Sequence, residues 1–220
     1  MDRMKFRFQL DPLLSPEYRR LFLKLNTPQK VQDFLDHFPV NVLEEGEHTM
    51  RGPVEMLKAG KAHCMEGALF AAVAFAYHNS PPLLLDLQST DDDLDHVVAL
   101  FKQNGLWGAV SKTNHPVLRW RDPVYKTVRE LALSYFHEYF MDDGVKTLHA
   151  YSRPFDLSKF KPEAWVTADG DLDWLAEALD DSPHSPIFPT SQKKFLRRAS
   201  KIEIEATVFE EWSKTGKKKF

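Results

Sequence analysis

Residues 60–77 read GKAHCMEGALFAAVAFAY and contain Cys64, the single cysteine of this 220-residue chain. Small residues recur through this apolar stretch, which permits close packing against a sheet, so the pattern predicts a buried central helix over 63–77. Cys64 lies in the first turn of that helix. The unpaired backbone N–H groups of a helix N-terminus stabilise a thiolate, and Cys64 is therefore the candidate nucleophile.

Two apolar segments after this helix have the composition of buried strands. They cover residues 83–87 and 96–101, and His96 opens the second. A histidine close to a cysteine can hold the thiolate in an ion pair and then deliver a proton to a leaving group. The order of the chain therefore favours a catalytic pair of Cys64 and His96.

An Asn-Gly dipeptide at 104–105 separates two apolar runs and predicts a two-residue hairpin turn. In that register His96 stands opposite Thr113, and Ser111 lies one step away on the same face. A residue that orients the imidazole should share its face, which favours Ser111 or Thr113.

Two further residues remain candidates for orienting His96. Asn114 points to the opposite face in this register, but a bulge or a one-residue change in the turn would bring it to the face of His96. Asp122 is the nearest downstream carboxylate and serves as a reserve candidate.

The order of the predicted elements favours an α+β protein, with the cysteine-bearing helix packed on a small antiparallel sheet and additional flanking helices. Residues 1–220 are expected to form a single domain, with a core at about 28–140 and a C-terminal helical extension at about 141–220. Further helices are predicted at 16–25, 28–38, 54–59 and 127–140.

Composition narrows the classes of partner and the cellular location. The net charge of −3 gives no general attraction to nucleic acid or to a membrane surface. The longest apolar run, 68–77, is far shorter than the ~20 residues that cross a bilayer, and the N-terminus lacks the apolar core of a signal peptide. With one cysteine, an internal disulfide is ruled out. We therefore expect a cytoplasmic protein without nucleic-acid or membrane partners.

The sequence contains two groups of potential metal ligands, an acidic segment and a group of one cysteine with three histidines. The acidic segment 91–95 does not fit an EF-hand loop, because the glycine position holds His96 and the terminal glutamate position holds Lys102. It is interpreted as a solvated loop. Zinc bound by Cys64 with His63, His96 or His115 is disfavoured, since no pair has the usual ligand spacing. His63 is interpreted as a polar residue at the helix start, and no cofactor is expected.

Three short motifs give the chain a resemblance to a known superfamily: GKAHC at 60–64, DHV at 95–97 and GLW at 105–107. Over about residues 28–125 the chain resembles the transglutaminase-like branch of papain-fold cysteine enzymes, which includes transglutaminases, peptide N-glycanases and bacterial proteases. The resemblance implies a papain/transglutaminase-like core with Cys64 as nucleophile and His96 as base.

The chain departs from the superfamily pattern at two positions. Ser111 occupies the place where the family usually has an aspartate, and Met65 follows the cysteine where an aromatic residue is common. Segments 108–114 and 121–125 look like an uncharacterised bacterial group within the superfamily, which implies no particular substrate.

These observations predict a thiol-dependent hydrolase or acyltransferase that acts on the amide or acyl group of a peptide, a protein or a small molecule. Its catalytic residues would be Cys64, His96 and either Ser111 or Asn114. The alternative is a catalytically inactive transglutaminase-like binding module, because a serine or asparagine stabilises an imidazolium less well than a carboxylate. In that case Cys64 is an inert core thiol and His96 a satisfied sheet histidine.

Overall fold

The computed structural model describes residues 3–41 and 49–207. Its α-helices are α1 Arg3–Leu10, α2 Pro16–Lys24, α3 Pro28–His37, α4 Pro53–Ala59, α5 Cys64–Tyr77, α6 Val128–Phe136, α7 Asp173–Asp180 and α8 Lys201–Thr207. Its strands are β1 Leu83–Gln88, β2 His96–Gln103, β3 Leu106–Val110, β4 Arg121–Tyr125, β5 Ala150–Ser152, β6 Phe155–Asp156 and β7 His184–Pro186. Short 3-10 segments connect several of them.

Within the described residues, the strands form one antiparallel sheet in the order β4-β3-β2-β1-β5-β7, and β6 also pairs with β1. The turn between β2 and β3 is built by Asn104 and Gly105, both with positive φ, of 51° and 85°. This is the backbone that a two-residue type I′ hairpin requires. Gln103 pairs with Leu106, so the predicted register is confirmed.

Hydrophobic cores lie on both faces of the sheet because side chains alternate along each strand. Leu84 and Ala99 belong to the core under α5, whereas Leu85 and Leu100 belong to the core on the other face, with α6. Helices α1 to α4 surround α5. This arrangement confirms the mixed α+β class and the packing of the cysteine-bearing helix on an antiparallel sheet.

The close approach of α5 to the end of β3 depends on Gly67. A Cβ added to this glycine would lie 2.3 Å from the Cβ of Lys112, far inside van der Waals contact. Lys112 is itself buried, and its Nζ donates hydrogen bonds to the carbonyl oxygens of Leu35 at 2.8 Å and Phe38 at 2.6 Å. One lysine therefore ties the last turn of α3 to the segment that carries Ser111.

The segment after residue 141 differs from the helical extension that the sequence predicted. Besides α7 and α8 it contributes β5, β6 and β7 to the same sheet as β1. These strands have only two or three residues each, too few for a periodicity to be read from the sequence. Residues 208–220 of the predicted extension lie outside the described residues.

Helix α6 ends at Phe136, four residues before the end predicted from the sequence. Its buried side chains, Leu131, Ala132 and Tyr135, lie on one side of the helix. No helix in the part of the chain that the structure describes combines the length and the apolar character needed to cross a membrane.

Candidate active site

Cys64 lies in the first turn of α5, as the sequence predicted, and the helix begins at this residue rather than at 63. The residue is partly accessible to solvent, while the residues that follow it in the helix are buried. The first N–H groups of a helix have no intrahelical acceptor, so they carry partial positive charge at the thiol. The position combines access for a substrate with electrostatic support for a thiolate.

His96, the first residue of β2, is buried and forms a hydrogen bond with the Cys64 thiol. Its Nε2 lies 2.7 Å from Oγ of Ser111. Since Nε2 is occupied by the serine, Nδ1 is the ring nitrogen left for the sulfur. The structure thus brings together three of the four residues that the sequence predicted as the site.

The fourth predicted residue, Asn114, forms no hydrogen bond with His96 in the described part of the chain. Oγ1 of Thr113 accepts a hydrogen bond from the backbone N–H of His115 at 3.1 Å, so this side chain is engaged in a turn. Asp122 is exposed on β4. Ser111 is therefore the residue that positions the His96 ring, as the hairpin register favoured.

A buried glutamine on α3 fixes the backbone of Ser111. Oε1 of Gln32 accepts from the Ser111 N–H at 3.0 Å, and Nε2 of Gln32 donates to the Ser111 carbonyl oxygen at 3.0 Å. The glutamine side chain thereby makes the two backbone hydrogen bonds that a neighbouring strand would make if β3 continued to Ser111. No pattern in the sequence pointed to this contact, because the two residues are 79 positions apart.

Replacing Gln32 with leucine should lower the free energy of unfolding by about 2 kcal/mol, since two buried backbone groups of Ser111 lose their partners. Urea denaturation of Gln32→Leu measures this change. Gln29→Leu is the matched control, because Gln29 is an exposed residue of the same helix. Equal stability of the two variants would contradict the role assigned to Gln32.

The structure adds His63, which the sequence analysis treated only as a helix-start residue. It does occupy the N-cap of α5, and its ring also forms a hydrogen bond with the Cys64 thiol. Nε2 of His63 lies 2.5 Å from the carbonyl oxygen of Thr49. The thiol is therefore in contact with two imidazole rings.

The buried carboxylate of Glu66 lies next to both the backbone N–H and the ring of His63. It accepts hydrogen bonds from the His63 backbone N–H at 3.1 Å, the Arg51 backbone N–H at 3.1 Å and the Thr49 hydroxyl at 3.2 Å. One oxygen also lies 3.7 Å from Nε2 of His63. The carboxylate that the sequence lacks near His96 thus exists at the site, but next to the other histidine.

These contacts move the pKa values of the thiol and of one imidazole in opposite directions. Burial of the Cys64 thiol opposes its ionisation, but hydrogen bonds and positive charge from His63 and His96 outweigh burial and hold the pKa of the thiol well below its ordinary value. Burial also opposes the charge of His63, yet the contacts with Cys64 and Glu66 raise its pKa to about 9. Cys64 and His63 therefore form a thiolate–imidazolium pair at neutral pH.

A cavity of about 190 Å³ lies at the far end of α5, where Ala74, Phe75 and His78 contribute to its lining. Ten or more residues at 1.5 Å per residue place it about 15 Å from Cys64. It is not part of this site.

No family model matches the chain, and no curated protein matches it. Membership of the transglutaminase-like superfamily therefore stays a prediction from the three motifs and is not an established assignment.

Proposed function

We propose that this protein is a thiol-dependent hydrolase or acyltransferase whose nucleophile is Cys64. The observation that carries the proposal is a thiol at a helix N-terminus, on a residue that is partly accessible to solvent, in contact with two imidazoles and with a pKa well below its ordinary value. Such a group is a nucleophile at neutral pH, whereas an inert core cysteine remains a thiol.

In the first step the Cys64 thiolate attacks the carbonyl carbon of an acyl substrate. A carbon–sulfur bond forms, and the negative charge moves to the carbonyl oxygen. The backbone N–H of Cys64 and the positive end of α5 are placed to stabilise that charge. The tetrahedral intermediate then collapses, and the bond to the leaving group breaks.

We assign the two histidines different tasks. His63 is held as an imidazolium by Glu66 and the Thr49 carbonyl oxygen, so it stabilises the thiolate. His96, whose far nitrogen contacts the neutral Ser111, takes up the proton that the Cys64 thiol gives up and transfers it to the leaving group. Ser111 fixes the orientation of the ring for that transfer.

The acyl group then leaves the enzyme in a second step. Water, or an amine in the case of acyl transfer, attacks the thioester carbonyl while His96 accepts its proton. The carbon–sulfur bond breaks and restores the Cys64 thiolate. This chemistry requires protein residues and the substrate alone, and it suits an amide or ester of a peptide, a protein or a small molecule.

The superfamily and the cellular location remain part of the proposal. The helix-borne Cys64, the strand-borne His96 and the hairpin that follows support a transglutaminase-like core. A cytoplasmic location is supported by a single cysteine that is free and ionisable, since reduced thiols persist in that compartment.

Incubation of the full chain with p-nitrophenyl acetate tests the proposal. We expect one acetyl group on Cys64, detected by intact-mass and peptide mass spectrometry, and none on Cys64→Ser. His96→Ala should acylate only about tenfold more slowly, because p-nitrophenolate needs little assistance from an acid. Turnover after acylation separates a hydrolase from an enzyme that awaits an amine acceptor.

Absence of both the adduct and any Cys64-dependent release of p-nitrophenol in the wild-type protein, under conditions where iodoacetamide still labels Cys64, would overturn the proposal. The protein would then be interpreted as the non-catalytic binding module, and the serine in place of a carboxylate beside His96 would be its reason.

A further inference from the structure

A second group of ionisable side chains lies beside the start of β2, and the proposed thiol chemistry does not use it. Asp86 belongs to β1, Asp95 directly precedes β2, and Asp180 ends α7. One carboxylate oxygen from each of these three residues lies within 4.8 Å of the others. Asp86 is 1% exposed, whereas Asp95 and Asp180 face solvent. The group is therefore a small acidic site with one buried wall and one open side.

One oxygen of the buried Asp86 carboxylate has no hydrogen-bond donor among the described residues. Its Oδ2 lies 3.0 Å from Nε2 of His184, but its Oδ1 is buried without a hydrogen-bond partner among the described residues. A buried, unpaired carboxylate oxygen is costly, and native structures almost always provide a partner for such an atom. Asp95 and Asp180, the carboxylates grouped with Asp86, cannot donate a hydrogen bond to it when they are ionised.

The charges of the group indicate what that partner is. Nδ1 of His184 lies 2.6 Å from the carbonyl oxygen of Ser182 and therefore carries a proton. Nε2 of the same ring lies against Oδ2 of Asp86. Three carboxylates gathered at one place repel one another when ionised, and a bound cation relieves that repulsion.

The second carboxylate is held in a fixed position without a cation. Oδ1 of Asp95 accepts hydrogen bonds from the Ser89 backbone N–H at 2.6 Å and from the Ser89 hydroxyl at 3.0 Å. His184 fixes Asp86 in the same way, through one oxygen. Each of the two side chains therefore keeps its other oxygen for a ligand, as the hydrogen-bonded carboxylates of metal sites do.

We propose that Asp86, Asp95 and Asp180 bind one calcium ion. Oxygens that share one calcium ion lie at most about 4.8 Å apart, twice the calcium–oxygen distance of about 2.4 Å, and the three carboxylate oxygens meet that limit. Calcium accepts several carboxylates in a flexible geometry, whereas magnesium keeps most of its waters and takes one or two carboxylates. Three carboxylates leave room for waters on the exposed side, in keeping with the six to eight oxygen ligands that calcium takes. The ligands come from two strand ends and a helix end, so this site is unrelated to the EF-hand spacing that the sequence excluded. The proposal is independent of the proposed function.

Isothermal titration calorimetry of the EDTA-treated, dialysed full chain with CaCl₂ tests the site. We expect one saturable site with a dissociation constant of about 0.1–1 mM, because only one of the three carboxylates is buried. The melting temperature should rise by about 3–11 °C in about 10 mM CaCl₂, relative to NaCl of equal ionic strength.

Two variants with the same change of charge make the test specific. Asp180→Asn removes a solvent-facing ligand without disturbing the core and should weaken binding at least about tenfold. Asp92→Asn removes an exposed carboxylate from the same loop as Asp95 and should bind calcium like the wild-type protein. Absence of saturable binding to the wild-type chain, equal binding by Asp180→Asn, or tighter binding of MgCl₂ than of CaCl₂ would each overturn the proposal.

Discussion

Alkylation of Cys64 by iodoacetamide at about pH 6 should be about 100-fold slower in the double variant His63→Gln/His96→Ala than in the wild-type protein. An ordinary thiol, with a pKa of about 8.5, is only about 0.3% ionised at that pH. In the wild-type protein both rings hold the sulfur as a thiolate. The lower intrinsic nucleophilicity of a low-pKa thiolate reduces the full ionisation ratio to the expected factor.

The dependence on pH separates activation from simple accessibility. In the wild-type protein the rate should be constant between about pH 6 and pH 8, because the pKa of Cys64 is held well below its ordinary value. In the double variant the rate should rise about tenfold per pH unit until it levels near the ordinary thiol pKa. Each single variant should lie between these limits, since each histidine supplies one hydrogen bond and one charge.

The exposed His137 provides the control for the loss of a histidine. His137→Gln should label at the wild-type rate throughout, and the urea-unfolded wild-type protein should show the ordinary thiol profile. A wild-type profile that rises with pH as in unfolded protein would contradict the thiolate at this site.

The pair of Cys64 and His63 does not make the free energy of unfolding depend on pH in the neutral range. Between about pH 6.5 and pH 8.5 the folded pair binds one proton, on His63, and the unfolded chain also binds one, on the cysteine. Below that range the unfolded histidine gains a proton and stability falls. The pKa of His63 is raised to about 9, so the contribution of the pair to the free energy of unfolding is lost as the pH rises through that value.

Gly67→Ala should lower the free energy of unfolding by about 3 kcal/mol and the melting temperature by about 6–12 °C. The new methyl group would lie 2.3 Å from the Cβ of Lys112. Both carbons are attached directly to backbone, so neither can rotate away, and α5 must move off the end of β3. The expected loss exceeds the gain of about 1 kcal/mol that alanine gives over glycine inside a helix.

Gly170→Ala is the control, because a Cβ added there meets nothing within 4 Å and its φ is not positive. Thermal unfolding followed by circular dichroism should place that variant at the wild-type melting temperature or slightly above it. A Gly67→Ala protein as stable as the wild type would show that the helix can shift without cost. It would contradict the prediction that the contact with Lys112 limits the stability of this variant.

Local signals in the sequence predicted the parts of the site that adjacent residues determine. The Asn-Gly turn fixed the register of β2 and β3, and that register placed Ser111 on the face of His96. The small residues after Cys64 predicted the buried helix. Both inferences depend on periodicity or turn chemistry within about ten residues, where physical rules are strong.

Contacts between segments that are distant in the sequence could not be predicted from such local rules. Gln32 contacts Ser111 across 79 positions, and Thr49 contacts His63 across 14, with helix α4 between them. The dual role of His63 was hidden for a different reason, since a polar residue before a helix is usually only a cap. The short strands after residue 141 carry too few residues to show a period.

The position of β1 in the sheet has a consequence for self-association. This strand, LLLDLQ, is the first of the sheet in the chain, yet it lies inside it, with β2 on one side and β5 and β6 on the other. Without the C-terminal strands it would present an unpaired aliphatic edge, the feature from which intermolecular strand pairing starts. The last third of the described chain covers this edge, and fragments that end before residue 150 should therefore be prone to aggregate.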